Sequence, residues 1–175
     1  MRHVFRLRAA DSDDIAAIQR VGLEADRRFL DVAHPELADG STIPTDVALR
    51  AIADDRLVVA ESGAEIVGWA YTALVGGELC LGQISVLPSW GRRGVGSALL
   101  EHVVDHARGK GIAAIVLSTQ DDVAWNRAWF EARGFVVVPR ERWTPAMARM
   151  TADQEKDGVD WSRRVHMRRV LQLEE

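Results

Sequence analysis

A turn rich in glycine and arginine, residues 91–96, carries the side chains best suited to chemistry. It reads Gly-Arg-Arg-Gly-Val-Gly and lies between an apolar run ending at Pro88 and a segment with apolar residues at helical spacing. The start of a helix presents unpaired N–H groups and the positive end of the helix dipole, and both attract anions. Gly94 and Gly96 let an anion approach the backbone, and Arg92 and Arg93 add donors suited to phosphate. The turn is therefore predicted to bind a phosphate-like anion.

Two common phosphate loops do not fit this turn. A Walker loop has Lys after its last glycine, whereas Ser97 and Ala98 follow Gly96 here. The dinucleotide-binding fingerprint needs a third glycine where Leu99 stands, and its alternating parallel strands are missing from the predicted element order. A glycine turn that merely joins a strand to a helix stays open as the alternative without a ligand.

The segment closely resembles the pyrophosphate loop of the GNAT superfamily of N-acetyltransferases. That signature is Gln/Arg-x-x-Gly-x-Gly/Ala after a strand that ends in Val-x-Pro, and residues 86–88 and 94–96 match it. Gly91 stands where the family usually has Gln or Arg, so Arg92 is expected to supply the charge instead. The family match predicts acetyl-coenzyme A as the acyl donor.

A second block supports the same resemblance. Residues 126–135, Asn-Arg-Ala-Trp-Phe-Glu-Ala-Arg-Gly-Phe, look like the family's helix that ends in an aromatic residue, a few helical residues and Gly-Phe. The element order from residues 7–11 to the last strand also fits, so the resemblance covers essentially the whole chain. It implies a small, bacterial-type, single-domain member spanning residues 1–175.

The resemblance implies how the donor is held. Two neighbouring strands, the one ending at Val86 and the one over residues 112–118, are expected to splay apart so that the pantetheine arm enters between them. The backbone of residues 84–87 is expected to pair with that arm and to polarise the thioester carbonyl through one N–H. The residues expected to contact the coenzyme are Ile84, Ser85, Val86, Leu87, Arg92, Arg93, Gly94, Val95, Gly96, Ser97, Asn126 and Phe130.

The proton donor to the leaving thiolate is where the sequence departs most from the family. Many members have a tyrosine four residues before the Gly-Phe pair, where this chain has Phe130. Tyr71, the only tyrosine, and Ser85 are the candidate catalytic residues, with packing as the alternative role of Tyr71. A thiol has a pKa of about 8.5, so its thiolate can leave without full protonation. Ser118 or water are further sources of help.

No general base is assigned. An alkylamine with a pKa of about 10 is mostly charged at pH 7 and has to lose a proton, usually to a carboxylate. Four carboxylates are candidates, each with a solvated surface charge as the alternative: Glu24, Asp26, Glu78 and Asp121. The family's acceptor pocket is expected around residues 29–44.

Composition limits the other functions. The 175 residues carry 22 basic and 26 acidic side chains and a net charge of −4, which argues against a broad nucleic-acid-binding surface. Cys80 alone cannot form an internal disulfide, and no apolar run is long enough for a membrane span. His102 and His106 have metal-like spacing but no third ligand near them, so no metal is expected. A cytoplasmic protein is predicted.

Periodicity and turn residues predict a mixed α/β chain. Strands are expected over residues 4–8, 57–61, 65–72, 78–87, 112–118, 135–138 and 164–173. Helices are expected from Asp11 or Ser12 onward, over 46–54 and 94–108, from Asp121 or Asp122 to 133, and from 144 to about 156. The fold class is α+β (α/β in three layers), with a mixed, centrally splayed sheet of about six to seven strands flanked by helices, as in GNAT-like acyl-CoA acyltransferases.

The leading hypothesis is an N-acetyltransferase that moves an acetyl group from acetyl-CoA to a primary amine of a small molecule by direct attack. Two alternatives stay open, a non-catalytic acyl-CoA-binding or regulatory module and a protein or peptide N-terminal acetyltransferase. The resemblance also implies a homodimer built through the edge of the last strand.

Overall fold

Seven strands form one mixed sheet in the computed structural model, which describes residues 4–32 and 34–172. Their order across the sheet is β1-β2-β3-β4-β5-β7-β6. In chain order they are β1 (Arg6–Ala9), β2 (Leu57–Ser62), β3 (Glu65–Val75), β4 (Glu78–Val86), β5 (Ala114–Gln120), β6 (Val136–Val138) and β7 (Arg164–Val170).

Five α-helices connect these strands: α1 (Ile15–Asp26), α2 (Thr45–Ala53), α3 (Val95–Gly109), α4 (Arg127–Glu131) and α5 (Pro145–Lys156). Short 3₁₀ turns occupy Ser12–Asp14, Arg27–Asp31, Pro35–Ala38, Pro88–Trp90, Arg140–Arg142 and Trp161–Arg163. The predicted element order is confirmed.

Strand directions follow the connections. β1 to β3 are joined by short or helical returns and pair antiparallel, with Leu57 opposite Tyr71. β4 pairs parallel with β5, Leu79 opposite Ile115, because α3 carries the chain back between them. β7 then pairs antiparallel with β5, Ser118 opposite His166, and with β6. An antiparallel start followed by a parallel crossover, and the mixed sheet flanked by helices, are as predicted.

The chain divides into two compact units, and β3, β4 and α3 each contribute to both. The first unit comprises the described residues up to Ala73 together with Gly82–Val103. Its core joins Ile18 and Val21 of α1 to the sheet residues Val59 and Trp69, all fully buried. The start of α1 is held by Asp14, whose carboxylate accepts two hydrogen bonds from Arg8, 2.7 and 2.8 Å long. The hydrogen bonding from Arg8 is the main reason why the pKa of Asp14 is lowered.

The second unit comprises Leu74–Leu81 and the described residues from Val104 onward. α5, which lies in the connection between β6 and β7, packs Met147 against Cys80 and Val116. Thr144 caps this helix by accepting a hydrogen bond from the Met147 amide, and its own hydroxyl donates to Glu78. The predicted Thr-Pro start and the end at Lys156 are confirmed.

Some predicted boundaries were wrong. The helix expected from Asp121 or Asp122 to residue 133 is α4 alone, because the Asp121 amide donates to the Arg163 carbonyl and Asp122 pairs with the Arg163 side chain. Because these contacts hold residues 121 and 122 beside the residue that precedes β7, the helix begins only at Arg127. The first strand begins at Arg6 and the last one ends at Val170, and Leu173 lies outside the described residues.

Candidate functional site

The predicted anion-binding turn begins where β4 ends. The Leu87 amide donates to the Val67 carbonyl at 2.9 Å, which keeps the chain on the sheet just past Val86. The 3₁₀ turn Pro88–Trp90 follows, closed by hydrogen bonds from Trp90 to Leu87 and from Gly91 to Pro88. The chain thus passes from β4 towards α3 through a hydrogen-bonded turn.

Backbone geometry explains two of the glycines in the turn. A Cβ on Gly91 would lie 3.2 Å from the Pro88 carbonyl oxygen, tighter than ordinary contact. Gly94 has a φ of 85°, a left-handed conformation that side-chain-bearing residues rarely adopt. Arg92 has a φ of 59° although it is not glycine. A side chain at position 91 would therefore press on the Pro88 carbonyl, and Arg92 adopts a backbone conformation that is costly for a residue with a side chain.

The N-terminus of α3 is open to an anion. The Ala98 amide donates to the Gly94 carbonyl at 2.9 Å, and the first amides of a helix point outward from its N-terminus. Val95 and Leu99 are buried, and both lie so close to Gly68 of β3 that a Cβ on this glycine would touch them. This close packing anchors the start of α3 against β3. Arg92 and Arg93 are exposed, and the Arg93 guanidinium lies 5.1 Å from the centre of the Trp90 ring.

The structure brings ten of the predicted coenzyme residues together in the first unit, along the end of β4 and the start of α3. They are Ile84, Ser85, Val86, Leu87, Arg92, Arg93, Gly94, Val95, Gly96 and Ser97.

Ser85 is buried on β4, and its Oγ accepts a hydrogen bond of 3.0 Å from Nε2 of Gln83. Because the amide nitrogen is the donor, the hydroxyl hydrogen of Ser85 stays able to donate elsewhere. Gln83 was not singled out from the sequence, although a glutamine inside an otherwise apolar strand was the available signal.

Tyr71 lies on β3 with its ring against Gly82. A Cβ on Gly82 would overlap Cζ of Tyr71 and lie 2.6 Å from its hydroxyl oxygen, so only glycine leaves room for the ring. The ring also stacks on Trp69, with 6.3 Å between centroids. This environment fits the packing role given above as the alternative for Tyr71.

Asn126 and Phe130 lie in the second unit. Nδ2 of Asn126 donates to Oε1 of Gln120 at 2.8 Å, and its side chain does not cap α4. Phe130 is buried, with its ring edge-on to Trp129 and Phe135 at 5.0 and 5.6 Å between centroids. Phe130 is therefore part of the packing beneath α4.

The four candidate bases differ in their surroundings. Glu78 accepts from Thr144, Asp121 pairs with Arg127 at 2.6 Å, and Glu24 lies 3.6 Å from Arg20. Asp26, at the end of α1, is different because burial, followed by the negative charge of Asp39, raises its pKa to about 6.

Asp26 also borders a cavity of about 570 Å³ between α1 and the segment around residues 37–42, part of the predicted acceptor region. It lies one helical turn after Gly22, and residues four apart share a helix face. A Cβ on Gly22 would lie 3.3 Å from Cζ2 of Trp69 and 3.8 Å from Nε2 of Gln83. The face that carries Asp26 is therefore the one packed on β3 and β4.

Within residues 4–32 and 34–172, no group of three His, Cys, Asp or Glu side chains is placed to hold a metal ion. Over the same residues, no helix combines the length and apolar character needed to cross a membrane.

The chain is similar in sequence to known acetyltransferases. The chain is 35% identical over 71 residues to the [ribosomal protein bS18]-alanine N-acetyltransferase of Escherichia coli K12, covering 41% of this chain and 48% of that protein. For the Salmonella typhimurium enzyme of the same name the values are 33% over 87 residues, 50% and 53%. The chain spans about half the length of the curated relatives it matches.

Solved structures extend the likeness to nearly the full chain. The PaiA N-acetyltransferase of Thermoplasma acidophilum, in complex with coenzyme A, has a TM-score of 0.72 at 14% identity, covering 95% of this chain and 99% of that one. The ribosomal-protein-S18-alanine N-acetyltransferase of Escherichia coli has a TM-score of 0.66 at 18% identity, covering 98% and 97%. At such identities the likeness shows a shared fold. Residues 26–135, more than half of the chain, match the model of the Acetyltransferase (GNAT) family, and the chain therefore belongs to that family.

Proposed function

We propose that this protein is an N-acetyltransferase that carries an acetyl group from acetyl-CoA to a primary amine of a small molecule by direct attack. The observation that carries the proposal is the turn between β4 and α3. It combines two exposed arginines, the left-handed Gly94 and the start of α3 within nine residues of the end of β4. Such a turn suits a pyrophosphate.

In this proposal residues 92–97 hold the pyrophosphate and the backbone of residues 84–87 pairs with the pantetheine arm. One N–H of that strand then stabilises the negative charge that develops on the thioester oxygen. The coenzyme A complex of the Thermoplasma acidophilum protein, which shares the fold, supports coenzyme A as the ligand class. Asn126 and Phe130 stay predictions as contacts of the pantetheine arm.

Asp26 is the carboxylate proposed to take the proton from the amine. A general base works best when its pKa lies near the working pH, and the raised pKa of Asp26, about 6, meets that condition. The carboxylate borders the cavity at the predicted acceptor region, so an amine held there lies within its reach.

Ser85 is proposed to donate a proton or a hydrogen bond to the leaving thiolate. Its buried hydroxyl is oriented by Gln83 and keeps its hydrogen for a second partner. Tyr71, the other candidate, is held against Gly82 and Trp69 and is proposed to shape the site through packing.

A protein N-terminal amine is the second candidate acceptor. It is favoured by the matches to enzymes named for the alanine of ribosomal protein bS18. Thiol release from acetyl-CoA, measured across small amines and across short peptides with free N-termini, distinguishes the two acceptor classes. The cytoplasmic location, the single domain and the homodimer stay predictions.

Calorimetry with acetyl-CoA tests the proposal directly. Wild-type protein is expected to bind, and Gly96→Val is expected to bind at least about tenfold more weakly, because a branched side chain blocks the approach of the anion. Gly109→Val, at the other end of α3 with open space around its Cα, is the matched control and keeps wild-type affinity. No binding by the wild type at millimolar acetyl-CoA rules the proposal out, and binding without turnover on any amine or peptide favours the non-catalytic module.

A further inference from the structure

Arg164 begins β7 in the second unit, where it lies opposite Gln120 of β5. Its Nη2 donates to Oγ of Ser118 at 3.0 Å, and its guanidinium lies 5.7 Å from the centre of the Trp161 ring. The side chain is largely buried, with a minor part exposed. The guanidinium is thus held by Ser118, and the residue as a whole keeps an exposed part.

This cation has no carboxylate partner among the described residues. It takes part in none of their ion pairs, and its buried Nε makes no hydrogen bond. Burial lowers the pKa of Arg164 to about 10. His166, two residues along β7, does not supply a negative charge, and burial lowers its own pKa to about 4. A largely buried positive charge without a counter-charge is unusual, since buried charges are normally paired.

Three neutral side chains near Arg164 are hydrogen-bonded to one another. Nε1 of Trp161 donates to Oε1 of Gln154 at 3.1 Å, and the Gln154 amide lies 3.5 Å from Oγ of Ser118. Ser118 is therefore positioned from one side by α5 and holds the guanidinium from the other. Rigid neighbours lower the cost of binding because they are already ordered before the ligand arrives.

The position in the sheet also suits a ligand. Ser118 lies near the carboxyl end of β5, which runs parallel to β4. In sheets with parallel strands, ligands bind beyond the carboxyl ends of those strands. Arg164, the first residue of β7 after the connection that contains α5, lies at this same end of β5.

We propose that Arg164, oriented by Ser118, binds the carboxylate of a small-molecule ligand at the start of β7. A carboxylate fits better than a phosphate because a single guanidinium balances a single negative charge. This carboxylate site does not depend on the proposed function.

N-acetylglycine, N-acetylalanine and N-acetylphenylalanine, each with one carboxylate and no charged amine, are the probes for a direct test. Each is titrated by calorimetry, without coenzyme, against its C-terminal amide, which differs only in lacking the carboxylate. At least one is expected to bind wild-type protein about tenfold or more tighter than its amide, the gain typical of a charged hydrogen bond. Arg164→Gln is expected to remove this preference, and Arg164→Lys to keep part of it.

Arg149→Gln, which removes an exposed arginine from α5, is the matched control and keeps the preference. Thermal unfolding of each variant shows whether Arg164→Gln is folded, and the Arg164→Lys variant carries the test if it is not. Equal binding of acid and amide by the wild type, or a preference that survives in Arg164→Gln, overturns the inference. Binding of inorganic phosphate with no carboxylate preference also overturns it.

Titration with acetyl-CoA in parallel separates the two proposals. Carboxylate binding that depends on Arg164, without any binding of acetyl-CoA, leaves the site standing and removes the proposed function. Binding and turnover of acetyl-CoA, without a preference for carboxylates that depends on Arg164, leaves the proposed function standing and removes the carboxylate site.

Discussion

Gln83 and Ser85 lie two residues apart on β4, and their side chains are joined by a hydrogen bond of 3.0 Å in which the glutamine amide is the donor. The bond holds Oγ of Ser85 in place. It also leaves the serine hydrogen for another acceptor, since the oxygen receives rather than gives in this pair. A buried serine oriented in this way can assist a leaving thiolate.

Ser85→Ala tests that role. General acids typically contribute about 10²–10⁴-fold, but a thiolate leaves readily, so we expect kcat to fall only about tenfold, with the KM for acetyl-CoA changed little. Thiol release at saturating amine gives both constants. Ser89→Ala, at an exposed position in the turn after β4, is the control and keeps the wild-type rate. An unchanged kcat for Ser85→Ala would contradict the assignment.

Arg92→Gly distinguishes the backbone strain at residue 92 from the effect of its positive charge. The φ of 59° at Arg92 suits glycine, so the substitution is expected to raise the free energy of unfolding or leave it unchanged while removing a cation from the turn. Acetyl-CoA affinity should fall and depend less on salt concentration. Asp55→Gly is the matched control, because Asp55 has a similar φ of 55°. Chemical denaturation and calorimetry report the two quantities, and loss of affinity in both variants would point to a general backbone effect.

Much of this turn could be predicted from the sequence because its signals are local. Proline ends a strand, glycine permits a left-handed backbone, and apolar spacing marks a helix, so the turn between β4 and α3 follows from adjacent residues. The same local signals placed the start of α5 at Thr144 and Pro145.

Other features depend on residues far apart in the chain. The delay of α4 to Arg127 requires contacts to Arg163, and the unpaired charge of Arg164 is visible only once Ser118, 46 positions away, lies beside it. Asp26 could be named as one carboxylate among four, but its raised pKa comes from burial that spacing does not reveal.

Asp26→Asn is expected to change activity and stability in opposite directions. If Asp26 is the base, the wild-type rate falls as pH drops below about 6, the pKa of its carboxyl, and Asp26→Asn lowers kcat/KM by about 10²-fold or more and loses this acid limb. Glu24→Gln, which removes a neighbouring carboxylate on the same cavity, is expected to retain the acid limb of the pH–rate profile. An acid limb that persists in Asp26→Asn would exclude Asp26 as the base.

The stability change follows from the sign of the pKa shift. Because the folded protein binds the Asp26 proton more tightly than the unfolded chain, its stability falls as pH rises from about 4 to 6. Asp26→Asn is therefore expected to raise the free energy of unfolding at pH 7, by about 1 kcal/mol after screening by solvent at this partly exposed site, and to change little at pH 3. Urea denaturation at the two pH values measures both differences.

Gly82→Ala tests the packing of Tyr71. The added Cβ would overlap the far end of the Tyr71 ring, which has to move aside at this exposed glycine. We therefore expect a loss of about 0.5–1.5 kcal/mol in the free energy of unfolding, the usual cost of a displaced rotamer. Tyr71→Ala in the same chain removes the overlap, and a double-mutant cycle should therefore show coupling between the two positions. Gly109→Ala, at the last residue of α3 with nothing near the added Cβ, is the control and is expected to leave the free energy of unfolding unchanged or to raise it slightly. Additive effects of Gly82→Ala and Tyr71→Ala would show that the ring does not rest on Gly82.

Tyr71→Phe, which keeps the ring and removes only the hydroxyl, should retain the wild-type rate, because a packing role needs the ring alone.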